Sequence, residues 1–251
     1  MADYTISETF TLPSKGLIYN VNVPANITLR SMNTRDEMRR LSTSEYQYKP
    51  MCDVVDDCII DDTGISCYDM CIGDYQFLLY KLRIVTYGSD FDLETTCPFC
   101  KFHNKDTINL DALNVLTYDE SIHNYMSFDL PVTKKHVKIK FTTPRMLDNI
   151  GVQAREMKQR STDKSQDYSM LTTLTSIIDT VDGQERSVMD LEKWVRELPM
   201  RDTNTIFAYS AKLNNSLGVD TNIDAVCELC GLDYKVPFRP GAEFFRPSID
   251  I

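Results

Sequence analysis

The chain has 251 residues, 42 % of them hydrophobic and 25 % charged, which is enough to bury a core in one large domain or two small ones. Its net charge of −10 runs against the basic surface that phosphate contacts require, and so argues against nucleic acid as a partner. There is no apolar run long enough to span a bilayer. The opening MADYTISETF is acidic and polar, unlike a secretory leader; the expected compartment is a reducing cytosol, where disulfides do not persist.

In chain order, residues 5–11 alternate as a strand does, LPSKG (12–16) is a turn, and LIYN and ITLR are further short strands. Thr34 and Glu37 are spaced as a capping box at a helix start. CDVVDDCII (52–60) predicts a short helix. Asp74 is placed to cap a longer one, YQFLLYKLRIVTY, which Gly88 ends. FDLETT and DTINL are strands on either side of a CPFC turn, and HVKIKF (136–141) alternates as a strand. At Thr143-Pro144 the character changes, with Pro144 suited to a first helical position. Helices are predicted at 144–159, 167–181, 187–198 and 202–217, with Ser187 and Asp190 capping the third. Strand character returns at NIDAV and YKVPF, around CELC.

The two cysteine pairs decide the fold reading. DLETTCPFCKFHNKDTINL and TNIDAVCELCGLDYKVPF share one order: strand, CxxC, turn, strand. Each such knuckle offers two thiolates, and two knuckles supply the four sulfurs of a closed tetrahedral site. Cys97, Cys100, Cys227 and Cys230 are therefore the expected ligands of one structural zinc ion. About 126 residues separate the pairs, against about 15–20 in a compact ribbon. Closing a long loop costs little more than closing a short one, and a folded insert lowers that cost. A thioredoxin-type redox pair would place its CxxC at a helix N-terminus, whereas both pairs here lie between strands. The expected fold is α+β: a β-rich, zinc-ribbon-like domain built from two distant knuckles, with a helical bundle inserted between them. Residues 1–142 would form the β-rich part with its helices and the first knuckle. Residues 143–218 would be the helical insertion. Residues 219–251 would carry the second knuckle and a docking tail packed on 1–142.

Other groups are weighed beside these. His103 is either a donor near the metal or a turn residue facing solvent. Cys52, Cys58, Cys67 and Cys71 fall on predicted helices, where cysteine packs as a small hydrophobe; a second metal site is the alternative. Asp56, Asp57, Asp61 and Asp62 lack the glycine and ligand alternation of a calcium loop and are expected as a solvated acidic face. None of His103, His123 and His136 belongs to a recognisable nucleophile–base pattern, and no Walker, GxGxxG or GxSxG motif is present. Trp194, with Leu191, Val195 and Leu198, is expected in the core of the bundle. In the tail, Phe238, Phe244 and Phe245 with Arg239 and Arg246 either dock a partner, as aromatic and Arg anchors do, or pack on their own knuckle. Phe244, Phe245 and Arg246 are the candidate partner-binding residues.

One set of motifs resembles a known family. LPSKGLIY, ITLRSMNTRDE, CPFC after a helix ending in TYG, CELCG and a terminal FFRPS occur in that order. Together they resemble the baseplate hub proteins, or hub assembly chaperones, of T-even-like contractile-tailed phages. The likeness covers nearly the whole chain, with 144–218 the least diagnostic part. It implies a non-enzymatic morphogenetic protein that acts in the host cytoplasm during assembly and is a candidate for the virion baseplate. Its partners would be other hub and spike proteins and the tape-measure protein, with no nucleic acid and no membrane. The competing reading is a zinc-ribbon nucleic-acid-binding regulator. Against it, Asp90, Asp92, Glu94, Asp220, Asp224 and Glu228 surround the knuckles and dilute Lys101, Lys105, Lys235 and Arg239.

Overall fold

Two large hydrophobic cores and a small cluster of Cys97, Cys227 and Tyr234 organise the described residues. The computed structural model describes residues 5–42, 47–161, 163, 165–238, 240 and 242–245. β1 (Ser7–Thr11) pairs antiparallel with β2 (Asn26–Arg30), placing Phe10, Ile27 and Leu29 on the buried face. The segment between them does not contain the strand expected at LIYN. Residues 13–21 run as turns, because Lys15 and Gly16 take φ of 54° and 74° and reverse the chain. A Cβ at Gly16 would lie 2.1 Å from the Val23 carbonyl oxygen, so only glycine fits.

α1 (Thr34–Leu41) starts one residue before the expected capping box. Asn33 accepts from the Arg35 and Asp36 N–H groups, and Asp36 accepts in return from Asn33 N–H at 3.0 Å. Arg30 fixes this register, since its guanidinium also pairs with Asp36. α2 (Lys49–Cys58) and α3 (Ile72–Tyr87) follow. Cys71 caps α3 through its sulfur. Asp74, the expected cap, uses its carboxylate on the LPSKG turn: Ser14 N–H donates to it at 3.0 Å and the Tyr19 hydroxyl at 2.7 Å, with the Ser14 hydroxyl also bonded to it. Burial raises the Asp74 carboxyl above its usual range against these donors. The first core lies between α2, α3 and the β1–β2 ribbon, and contains Cys52, Cys58 and Cys67. These three thiols pack as small hydrophobes, and burial pushes Cys58 up to about 12.

β3 (Asp90–Thr96) and β4 (His103–Asn109) form the first knuckle hairpin, in register from Asp90↔Asn109 to Thr96↔His103. β5 (Val115–Leu116) and the short α4 (His123–Met126) lead into a second core. There β6 (Ser127–Asp129) pairs with β7 (His136–Ile139). After α5 (Pro144–Arg160) and α6 (Ser169–Ile177), the chain straightens into β8 (Ile178–Val181) beside β7. The helix expected over 167–181 therefore ends at Ile177, because the β7 edge offers 178–181 ladder partners. This three-stranded sheet spans the boundary expected at 143, and the second core draws Ile122, Phe128 and Leu130 from before it.

α7 (Val188–Arg196) and α8 (Met200–Asn214) complete that core. Leu191 and Val195 are buried in it, and Trp194 and Leu198 pack against it. β9 (Gly218–Val219) returns to pair with β5, and β10 (Asn222–Val226) with β11 (Asp233–Pro237) makes the second knuckle hairpin. Every pairing among the described strands is antiparallel. The chain is thus a mixture of helices and small sheets.

Candidate metal centre

The two hairpins end in turns of one design. In the first, Cys97 N–H donates to Phe102 O at 2.9 Å and Lys101 N–H to Cys97 O at 3.0 Å. In the second, Cys227 N–H donates to Leu232 O at 3.1 Å and Gly231 N–H to Cys227 O at 2.8 Å. The fourth residue after each first cysteine is left-handed, Lys101 at φ 64° and Gly231 at φ 68°. That conformation turns the backbone N–H groups inward towards the sulfurs.

The turns face each other. Cys97 Sγ lies 3.8 Å from Cys230 Sγ, and Cys100 Sγ lies 3.5 Å from Cys227 Sγ. All four sulfurs fall within 4.8 Å of one another. Cys97 and Cys227 are buried, while Cys100 and Cys230 sit at the solvent side. A tetrahedron with metal–sulfur bonds of about 2.3 Å has edges of about 3.8 Å, so the spacing fits a single ion. Among the described residues these four cysteines are the one His/Cys/Asp/Glu group placed to hold a metal.

Electrostatics favour thiolate at the buried positions. Desolvation raises the Cys97 thiol, but the N–H groups of Cys100 and Phe99 outweigh it and the net shift is downward. At Cys227 desolvation is again overcome, by the N–H groups of Cys230 and Leu229, and the thiol is lowered to about 6. Cys100 moves the other way, to about 12: the Phe102 N–H lowers it, but desolvation and the neighbouring thiols outweigh that donor. A cluster that shares protons in this way exchanges them for a cation.

Residues the sequence reading missed lock the hairpins together. Tyr234 of β11 bonds to the Thr95 hydroxyl at 2.6 Å and accepts from Asn104 Nδ2 at 2.8 Å. Asn104 Oδ1 accepts from Glu228 N–H in the opposite turn at 2.9 Å. Thr95, Asn104 and Tyr234 are all buried. His103 lies outside the sulfur cluster and bonds across its own hairpin to Thr96 at 3.1 Å.

The tail candidates lie elsewhere. Phe244 and Phe245 are 1 % and 4 % exposed and belong to the first core, not to an open face. Phe244 meets Tyr80 at 4.9 Å, and Phe238 meets Phe91 at 5.1 Å. Arg83, fully buried, donates to Phe244 O at 3.3 Å, to Asp90 O at 3.0 Å and to Gly88 O. No pattern in the sequence marks Arg83, since its partners are carbonyls. Arg239 and Arg246 lie outside the described residues.

A family model described as T4 bacteriophage base plate protein matches residues 4–246. The chain belongs to that family. No curated protein and no solved structure matches it. The sulfur cluster and both cores of this T4-like phage baseplate protein lie within the matched span. No helix among its described residues is long and apolar enough to cross a membrane.

In the baseplate protein the acidic run lies at the surface as expected, with Asp57, Asp61 and Asp62 exposed and Asp56 half-buried; Asp56 accepts from Cys67 N–H at 2.8 Å and Asp61 from Thr28 N–H at 2.5 Å, and Asp57 pairs with Arg39. His136 joins a hydrogen-bonded Ser–His–Asp chain that the sequence does not mark. Its Nε2 lies 2.7 Å from the Ser127 hydroxyl and its Nδ1 2.8 Å from Asp129. The register places Asp129 opposite His136 with Ser127 two residues away on the same face, a juxtaposition invisible before the strands pair. His136 and Asp129 are 52 % and 74 % exposed, on the solvent side of the sheet.

Proposed function

We propose that this chain is a non-enzymatic component or assembly chaperone of the baseplate hub, its two hairpins joined by one structural zinc ion on Cys97, Cys100, Cys227 and Cys230. The observation that carries the reading is the convergence of four sulfurs, within 4.8 Å, from turns far apart in sequence, in a chain of the baseplate family. Four protein sulfurs suit zinc, and they leave no coordination position for a substrate. A bound zinc would supply cross-linking: it ties the return strand of the chain to β3 and β4 and closes off the intervening unit. The chain's partners are other hub and spike proteins and the tape-measure protein, met in the host cytoplasm during assembly and in the tail baseplate.

Metal analysis of the purified chain tests the centre. One zinc per chain is expected, lost in both Cys97→Ser and Cys227→Ser, since structural zinc contributes on the order of 10 kcal/mol to folding. Iron in its place, or no metal, overturns the zinc assignment. Complementation of phage lacking this gene product tests the role: hub assembly should fail without the chain and recover when it is supplied.

The Ser127–His136–Asp129 chain favours a second reading, a serine-type hydrolase. Its exposure leaves it open to water, which weakens the electrostatic stabilisation such chemistry depends on. Labelling of Ser127 by a fluorophosphonate, abolished in His136→Ala, would establish this reading; an unlabelled Ser127 retires it.

A further inference from the structure

The knuckle tips carry an apolar surface that the metal centre does not use. Phe99 is 60 % exposed, Val226 57 %, Leu229 65 % and Leu232 48 %. Phe99 and Leu229 occupy the same position, two residues after the first cysteine of each pair, so the facing turns bring them to one end of the molecule beside the solvent-side Cys100 and Cys230. Phe99, Leu229 and Leu232 on the facing turns and Val226 at the end of β10 are exposed apolar side chains of the kind that anchor protein interfaces.

The charge beneath this tip selects the partner. Residues 90–109 and 220–237 carry eight carboxylates against three lysines, a net −5 that is half of the whole chain's −10. Two of those lysines are already paired, Lys105 with Glu94 at 2.7 Å and Lys235 with Asp224 at 3.6 Å. A second copy would bring the same negative stalk against itself, and nucleic acid would be repelled. We propose that the tip inserts Phe99, Leu229 and their neighbours into an apolar socket on another tail protein, and that the socket is rimmed by Lys and Arg. The socket's apolar floor would take the side chains, while its basic rim would meet the acidic stalk and set orientation and encounter rate.

This inference rests on the baseplate reading of the chain but not on the identity of the metal. The test places a benzophenone-bearing phenylalanine analogue at position 99 of the full chain in phage-infected cells, followed by irradiation and mapping of the cross-link. The expected cross-link falls on another tail protein, in a segment where apolar residues are flanked by Lys or Arg. In lysate its yield should fall when salt is raised to about 0.5 M, as a charge-steered contact requires. Phe99→Asp with Leu229→Asp should lower baseplate yield about tenfold or more, with metal content and melting temperature read on the same protein. The inference is overturned by a cross-link only to a second copy, to nucleic acid or to nothing. Unchanged assembly by the double variant also overturns it. Should that variant fail to fold, the cross-link on the otherwise native chain decides. A chain that cross-links as expected yet contains no metal would sink the zinc assignment and leave this surface standing.

Discussion

Asn104 and Tyr234 stand at the same place in their two hairpins, each seven residues after the first cysteine of its pair, and their side chains hydrogen-bond to each other at 2.8 Å. Two turns of one design therefore meet through matching positions. The contact is buried and continues through Thr95 and Glu228, so the hairpins are held in facing positions by more than their sulfurs.

Tyr234→Phe should loosen that arrangement without touching a cysteine. It leaves Asn104 Nδ2 and the Thr95 hydroxyl buried with a lost partner, at a cost of about 1–3 kcal/mol. Metal affinity should fall about 10–100-fold, the usual effect of removing support behind the ligands. Chelator competition against the unaltered chain measures it, and equal affinity would show that the sulfurs alone set the geometry.

Phe244→Ala should destabilise the fold by roughly 3–5 kcal/mol, the range for emptying a fully buried aromatic site. Phe244 packs on Tyr80 and Phe91, and its carbonyl accepts from Arg83. Urea unfolding monitored by circular dichroism gives the difference. A loss under about 1 kcal/mol would mean that the tail is detached in solution and free to reach a partner.

Asp148→Ala should cost about 1–2 kcal/mol, as loss of an N-terminal cap does. α2 has no cap of its own. Asp148 of α5 accepts from Tyr48 N–H at 2.9 Å and Lys49 N–H at 3.1 Å, and from the Tyr68 hydroxyl at 3.0 Å. Amide exchange should quicken in the first turn of α2 while the knuckle hairpins stay protected. Unchanged exchange there would remove Asp148 from the docking of α5 on α2.

Asp202 gives the fold a pH dependence. Burial raises its carboxyl, but the N–H groups of Thr133 and Val132, at 2.9 and 2.8 Å, outweigh burial and hold it below the usual range. A carboxyl depressed in the folded state adds stability above its unfolded value, near pH 4, and loses it as pH falls through the folded value. Asp202→Ala should therefore cost about 1–3 kcal/mol at pH 7, and the gap should narrow below about pH 4. A gap that stays constant down to pH 2 would assign the loss to packing alone.

The sequence by itself determined the repeated units. Each CxxC turn is local: a tight reversal between strands whose alternation is visible in DLETT and NIDAV. Those short-range preferences survive in the fold, as do the α5 start at Pro144 and the Leu191–Val195 stripe of α7, because periodicity within one element is enough to specify them. Tertiary structure decided the rest. Whether 167–181 stays helical depended on β7 offering an edge to 178–181. Arg30 drew the cap of α1 one residue upstream. Asp148 caps a helix that begins 99 residues away, and Arg83 holds the tail through carbonyl groups that every residue possesses. A backbone acceptor carries no residue signature and a partner a hundred residues distant leaves no spacing, so neither is legible until the chain has closed on itself.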